Sequence, residues 1–204
     1  MEVRKMDETI TTKKWLELLN SFFEFIYLNL LWILFSLPIV TVWPASAAMY
    51  GVVRIWVKGE EVAVFSTYKK LFLENFYSSL LTGVIWFFGV SILFVDFYFV
   101  NQLSGGFEFI GLFIFGIITA LFLMVSVFLF PVIVHVRTSL IGIWKNAFNL
   151  AILNPLISFI NIGIVFTGLF LLSRFPFFVF GIGSIGAYFL YLLVNRIFKK
   201  WESK

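Results

Sequence analysis

Charged residues are absent from five long stretches of the chain, and each stretch is long enough to form a membrane-spanning helix. The charge-free stretches lie between Glu24 and Arg54 and over residues 75–95, 109–134, 146–173 and 175–195. Runs of about 18 or more residues with few or no charges are typical of transmembrane helices. The pattern therefore predicts a polytopic helical membrane protein that has no room for a soluble domain.

Two prolines divide the first of these stretches into two helices. Leu37 precedes Pro38, and a residue before proline is disfavoured in the helical conformation. Pro44 suits the first position of a new helix, where its missing N–H group has no helical partner to lose. The sequence therefore predicts spans over about 21–36 and 44–58, joined by a short turn inside the membrane.

The complete prediction is an all-α bundle that forms a single transmembrane domain over residues 1–204. An amphipathic lead-in over residues 1–20 is expected at the membrane surface. The four remaining spans are predicted at about 76–95, 107–134, 149–172 and 177–195. The helix that starts at Pro44 is only about 21 Å long at 1.5 Å per residue, against a hydrocarbon core of about 30 Å. The bundle has about six spans, or five if this helix does not cross.

Basic residues set the orientation of the bundle. With six spans, every Lys and Arg except Arg174 lies on the same side of the membrane as the two termini. Cytoplasmic segments carry the excess of Lys and Arg, so both termini are predicted to be cytoplasmic. Five spans would move four basic residues of the N-terminal segment to the other side, which favours six. The basic residues form no continuous stripe, so the expected partners are membrane lipids and not nucleic acid.

The composition excludes several kinds of chemistry. The chain has no Cys and a single His, His135. A disulfide framework, a thiol nucleophile and a multi-His metal site within one chain are therefore excluded. No Walker A, H-E-x-x-H or G-x-S-x-G motif is present, and no carboxylate pair lies within a span. The sequence thus predicts no enzyme activity, no catalytic residue, no metal and no cofactor.

The fourth predicted span carries the candidate polar interior. Its asparagines and one proline are Asn146, Asn149, Asn154, Pro155 and Asn161. A proline within a span removes one helical hydrogen bond. Polar side chains in spans hydrogen-bond neighbouring helices, and interrupted helices can line the substrate sites of transporters. Helix packing is the better supported interpretation, and a substrate site is the alternative.

Two further features have a simple and a functional interpretation. GIGSIG at residues 181–186 has the glycine spacing of a dinucleotide-binding loop, but it lies in an apolar span. Close packing of helices through small residues explains it better. Arg54 lies near the end of its helix, where it is expected to extend to the membrane surface, and pairing with Glu60 or Glu61 is the alternative.

Residues 27–61 resemble the signature of a known family. The run YLNLLWILFSLPIVTVWPASAAMYGVVRIWVKGEE is similar to the pattern LNLLW…LP…PA-x-AA…VVR-x-W-x-x-GE of the YesL-like family, domain-of-unknown-function family 624. The matching residues are Asn29, Trp32, Pro38, Pro44, Ala45, Ala47, Ala48, Arg54, Trp56, Gly59 and Glu60. Members commonly have Gly or Phe where this chain has Trp43.

The resemblance implies a small protein of the bacterial plasma membrane with no assigned catalytic residue. Its implied role is that of an accessory protein of a carbohydrate ABC uptake system, which binds the permease subunits and assists their assembly or regulation. The alternative from the residues is an autonomous transporter or channel with a site at the proline-interrupted helices. A membrane enzyme or lipid-binding scaffold has only the unexplained polar residues in its favour. The sequence sets no oligomeric state.

Overall fold

A computed structural model describes the backbone of residues 2–202 and the side chains of residues 15–16 and 19–201. Within these limits the chain is helical and contains no strand. Its α-helices are α1 (Glu2–Phe35), α2 (Val42–Val57), α3 (Val64–Val100), α4 (Gly106–His135), α5 (Leu140–Leu153), α6 (Pro155–Arg174) and α7 (Ile182–Glu202). Two 3-10 turns, Ile39–Thr41 and Pro176–Phe180, precede α2 and α7. The all-α prediction is confirmed.

Helix α2 lies at the centre of the bundle. Ten consecutive residues, 44–53, are buried, as expected of a helix that is apolar on all sides. It packs against α1, α3, α4 and α7, and most extensively against α3. Small side chains permit this close approach, and the three alanines of the family motif, Ala45, Ala47 and Ala48, are completely buried. The helix begins at Val42, so Pro44 lies in its first turn and not at its first position.

Helix α3 is a single element of 37 residues, about 55 Å long at 1.5 Å per residue. It extends the predicted span 76–95 back through residues 64–75, an amphipathic segment, because no Gly or Pro interrupts residues 64–82. The buried face of the amphipathic part consists of Val64, Tyr68 and Phe72, which are spaced four residues apart. The Tyr68 hydroxyl donates a hydrogen bond of 3.0 Å to the Ala45 carbonyl and thereby fastens α3 to α2.

The fourth predicted span, 149–172, is wrong as a single helix. The chain divides at Asn154, whose φ of −134° and ψ of 60° lie outside the helical region. Pro155 then starts α6, in the position where proline costs least. The segment before the division, most of which lies between the predicted spans 107–134 and 149–172, folds as α5 with Ser139 as its N-cap. The Ser139 hydroxyl accepts from the Gly142 N–H at 3.3 Å.

The helical boundaries at both ends of the chain also differ from the prediction. The last predicted span, 177–195, starts as a 3-10 turn, and α7 begins only at Ile182. At the other end, the lead-in and the span 21–36 form one continuous helix, α1. The side chains of residues 1–14 and 17–18 lie outside the described residues, so the amphipathic character of the lead-in stays a prediction.

Four helical segments of the described chain are long and apolar enough to cross a membrane: Ile39–Val57, α3, α4 and α6. Leu19–Phe35 and α5 are shorter apolar helices. Large apolar side chains cover the outer surface; Phe87, Phe94 and Phe109 are 69–76% exposed. Soluble monomers rarely expose apolar patches of this extent. These features indicate a membrane protein, while the number of crossings and the side of the termini stay predictions.

Candidate functional site

Asn29 of the family motif joins α1 to the start of α7. Its side chain is completely buried, and its Oδ1 accepts a hydrogen bond from the backbone N–H of Ser184 at 3.1 Å. Its Nδ2 donates to the carbonyl of Val179 in the preceding 3-10 turn. The first N–H groups of a helix have no partner within the helix. Asn29 therefore caps α7 from a different helix, across 155 residues of chain.

The GIGSIG stretch supplies the other half of this junction. The Ser184 hydroxyl donates to the Phe25 carbonyl at 2.8 Å. A Cβ atom added at Gly183 would lie 2.5 Å from Asn29 Oδ1, so only glycine fits there. Close packing is thereby confirmed for Gly183. Gly186 differs, because a Cβ atom there would meet nothing within 4 Å. Sequence reasoning did not single out Ser184, although a buried serine between glycines in an apolar span was the available signal.

The tryptophans of the family motif bind α1 to its neighbours. Trp32 Nε1 donates to the Ser46 hydroxyl at 3.0 Å and links α1 to α2. The Phe25 ring lies between Trp56 and Tyr188 in edge-to-face contacts, with centroid distances of 5.1 and 5.4 Å. Such contacts add about 0.5–1.5 kcal/mol each beyond area burial. The motif therefore builds the α1–α2–α7 junction.

The last motif residues end helix α2. Gly59 has a φ of +82°, and its N–H donates to the Trp56 carbonyl at 2.9 Å. The Glu60 N–H donates to the Ile55 carbonyl at 3.2 Å. These two bonds form a Schellman cap, which places a left-handed residue directly after a helix and favours glycine there. Pro38 lies before the other end of α2 and precedes the 3-10 turn Ile39–Thr41. Its carbonyl accepts from the Thr41 N–H at 2.8 Å.

Trp43, where the chain departs from the family pattern, fills a space on the opposite side of α2. Its ring lies 5.6 Å from Trp86 and 4.9 Å from Phe130, measured between centroids. It also lies directly over Gly83 of α3, where any Cβ atom would overlap the indole. The large residue in α2 is thus matched by a glycine in α3.

The five residues of the candidate polar interior are not brought together. Asn149 is exposed, and Asn154, before the exposed Pro155, donates to the Leu150 carbonyl at 3.1 Å. Asn146 is half-buried and lines a cavity beside Arg54. Asn161 is completely buried, and neither its Nδ2 nor its Oδ1 has a hydrogen-bond partner. Of these five residues, Asn161 is the one that is completely buried and whose polar atoms have no hydrogen-bond partner.

Arg54 forms no ion pair with Glu60 or Glu61, so the pairing interpretation is wrong among the side chains that the structure describes. Glu60 and Glu61 instead line a cavity of about 590 Å³ with Glu24, beside Trp56. Arg54 is half-buried, and its Nε has no hydrogen-bond partner.

A second cavity of about 620 Å³ forms an open groove between α6 and α7, which we name the α6–α7 groove. Its wall is almost wholly apolar. Gly163, Gly168 and Gly186 are among its lining residues. The Thr167 hydroxyl donates to the carbonyl of Gly163 at 2.8 Å. Across the side chains given for residues 15–16 and 19–201, no cluster of three or more His, Asp or Glu residues suits a metal ion.

Comparisons with known proteins agree with the motif. Residues 25–97 match the model of the family described as Protein of unknown function, DUF624. The chain is 29% identical over 183 residues to the uncharacterized protein YesL of Bacillus subtilis (strain 168), which covers 87% of this chain and 86% of YesL. The chain is therefore similar to YesL over most of its length, and its residues 25–97 resemble the DUF624 family.

A second relative is similar over a shorter region. The chain is 30% identical over 123 residues to the uncharacterized protein YteU of the same organism, and the match covers 55% of the chain and 52% of YteU. No solved structure matches the chain at a comparable level of significance. The matched residues 25–97 contain the whole α1–α2 part of the junction but not its partners in α7.

Proposed function

We propose that this YesL-like protein is an accessory integral membrane protein of a bacterial carbohydrate ABC uptake system. In this role it crosses the plasma membrane several times, with both termini in the cytoplasm, and binds the permease subunits to assist their assembly or regulation. The resemblance to the YesL-like family supports this role. No catalytic step belongs to the proposal.

The α6–α7 groove is the observation on which the proposal rests. Cβ atoms added at Gly163 or Gly186 would meet nothing within 4 Å, so packing within this chain does not require glycine there. Small residues let two membrane helices approach closely enough for their backbones to touch. An apolar groove that is lined by glycines with open space around them therefore suits a transmembrane helix of another subunit.

Co-purification tests the proposal. The protein is purified from its own host in a mild detergent, and bound subunits are identified by mass spectrometry. We expect ABC permease subunits to be recovered, and we expect a deletion strain to take up the corresponding sugar more slowly. Gly163→Leu and Gly186→Leu fill the groove and should abolish recovery. Gly116→Leu, at an exposed glycine of α4 with open space around it, is the matched control and should retain recovery.

Two results would contradict the proposal. One is recovery of the protein alone together with normal sugar uptake in the deletion strain. The other is equal loss of permease with Gly116→Leu and the groove variants, because that would reflect general damage to the apolar surface and not filling of the groove.

Asn161 favours a second candidate function, an autonomous transporter or channel. An amide that is buried without a hydrogen-bond partner destabilises a protein by about 1–3 kcal/mol, and a bound solute that hydrogen-bonds to it would remove this cost. It lies in α6, two turns after the interruption at Pro155. If a solute binds there, purified protein in liposomes should transport it, and Asn161→Leu should abolish flux while Asn149→Leu retains it. Liposomes that move no sugar or ion would contradict this candidate.

A further inference from the structure

The carboxyl-terminal parts of α2, α4 and α7 surround a third cavity, of about 520 Å³, which we name the basic cavity. Its lining residues are Arg54, His135, Val136, Arg137, Asn146, Leu150, Phe198 and Trp201. Two guanidinium groups thus share one space with an amide and an imidazole. Among the side chains that the structure describes, no Asp or Glu lines this cavity.

Arg54 is the least expected of these residues. It follows Val52 and Val53, which are completely buried, on the central helix of the bundle. Its Nε is buried without a hydrogen-bond partner. The ion pair found among the described side chains joins Lys70 and Glu74, and Arg54 lies within 4 Å of no carboxylate oxygen of that set. A buried N–H donor without an acceptor is costly, so the Nε of Arg54 makes an acceptor from outside the chain favourable.

The two acidic residues that follow α2 line a different cavity from Arg54. The Schellman cap at Gly59 ends α2 one turn after Arg54. Glu60 and Glu61 follow this turn and line the separate acidic cavity on the α1 side of the bundle. Glu60 and Glu61 are therefore close to Arg54 in the sequence, but the end of α2 places them in a different cavity. They do not neutralise the positive charge of the basic cavity.

The His135 side of the cavity is held by contacts within the chain. His135 Nδ1 lies 2.9 Å from the Tyr191 hydroxyl, and its ring stacks on Phe198 with centroids 3.8 Å apart and planes 7° apart. This wall fixes the shape of the cavity. Arg137 is exposed at the opening and Asn146 is half-buried. Guanidinium groups only donate hydrogen bonds, and their planar fork matches the oxygen atoms of phosphate.

We propose that the basic cavity binds a phosphate group, carried by an anionic phospholipid or by a phosphorylated solute. Arg54 holds the phosphate from the inner end of the cavity and Arg137 from its opening. Trp201 also lines the cavity and is exposed, and tryptophan is enriched at the level of lipid headgroups. Basic pockets between membrane helices are known binding places for anionic headgroups.

Titration of the purified full chain in an uncharged detergent tests the proposal. Short-chain phosphatidylglycerol, short-chain phosphatidylcholine and inorganic phosphate are the probes, and calorimetry gives the affinity. We expect binding of phosphatidylglycerol or inorganic phosphate, with affinity reduced about ten-fold or more by Arg54→Gln, the loss typical of removing a charge-assisted hydrogen bond. Arg54→Lys keeps the positive charge but lacks the planar guanidinium group. Its affinity should lie between those of the wild-type protein and Arg54→Gln.

Arg196→Gln is the matched control, because Arg196 is an exposed arginine of α7 that lies outside the basic cavity. It changes the net charge by the same amount and should alter the affinity less than about two-fold, since exposed charges interact weakly. Arg137→Gln, at an exposed position, provides a second test if Arg54→Gln fails to fold, which a thermal melt will show.

The outcomes separate cleanly. Binding of phosphatidylglycerol without binding of inorganic phosphate identifies the lipid headgroup as the source, and comparable binding of both identifies a phosphorylated solute. A wild-type protein that binds neither phosphatidylglycerol nor inorganic phosphate overturns the proposal. Equal losses with Arg196→Gln and with the Arg54 or Arg137 variant also overturn it, because they show diffuse attraction instead of a site. The proposal does not depend on permease binding, so either can fail without the other.

Discussion

At the scale of single residues, buried polar side chains hold together helices that are distant in the sequence. Asn29 satisfies an N–H group of α7 that its own helix cannot satisfy, and Tyr68 bonds a carbonyl of α2. In an apolar interior an unpaired polar group is costly, so these bonds specify which helix faces meet. The family motif is explained at this scale, because its asparagine and tryptophans contact partners on other helices.

The prediction at this scale concerns the cap on α7. Asn29→Leu removes both hydrogen bonds and leaves the Ser184 N–H buried without an acceptor. We expect a loss of about 1–3 kcal/mol in the free energy of unfolding, measured by denaturant unfolding in detergent. Asn149→Leu, at an exposed asparagine, is the control and should change stability by less than about 0.5 kcal/mol. Equal stability of the two variants would show that the cap contributes nothing.

At the scale of helices, close packing depends on pairs of large and small residues. Gly83 of α3 lies under Trp43 of α2, and Gly51 of α2 lies under Leu71 of α3, where an added Cβ would be 2.8 Å from Leu71 Cδ1. The two contacts run in opposite directions between the same helices. Such reciprocal fitting sets the register of α2 against α3 and leaves little freedom for either helix to slide.

The prediction at this scale is that substitution by alanine destabilises the protein at one glycine and stabilises it at another. Gly83→Ala forces the Trp43 ring to move and should destabilise the protein by about 1–3 kcal/mol, the usual cost of overpacking. Gly116→Ala, in open space on α4, should stabilise it by about 0.5–1 kcal/mol, because alanine favours the helix. Thermal unfolding of both variants measures this.

A double mutant checks the cause of that effect. Trp43→Phe makes room beneath the ring, so Gly83→Ala should cost less in this background than in the native one. An unchanged cost would mean that the tryptophan is not the source of the conflict.

Part of this fold follows from the sequence, and part depends on contacts between distant elements. Charge-free runs predicted α4 almost to the residue, because length and hydropathy alone define a lipid-exposed helix. They could not separate α5 from α6, because the division depends on the backbone of Asn154. Nor could they distinguish buried Asn161 from exposed Asn149, since that difference depends on which neighbouring helix covers each face.

At the scale of the whole molecule, the proposed topology rests on the distribution of basic residues. The structure adds that α3 is much longer than a membrane core is thick, so its charged first turns around Lys69 and Lys70 extend beyond the span 76–95. The Lys70–Glu74 pair there is solvent-exposed, with side chains 74% and 43% accessible. This exposed end of α3 should lie in the cytoplasm if the bundle has six spans.

Single-cysteine labelling tests the topology. The natural chain has no Cys, so each introduced thiol reports alone. With six spans, Lys5→Cys and Lys69→Cys should resist a membrane-impermeant maleimide in intact cells and react after permeabilisation, whereas Arg174→Cys should react in both. Labelling of Lys5→Cys but not Lys69→Cys in intact cells would indicate five spans and show that the α2 segment does not cross.

The cap that Asn29 places on α7 has a consequence for biosynthesis. The Asn29 side chain bonds to partners that are translated some 155 residues later. At usual elongation rates this delay is on the order of ten seconds. During that time a fully buried amide of the native state must be satisfied by water, by lipid headgroups or by a chaperone. A chain that ends with residues 25–97, the region matched by the family model, should therefore lack the native partners of Asn29 until α7 is made.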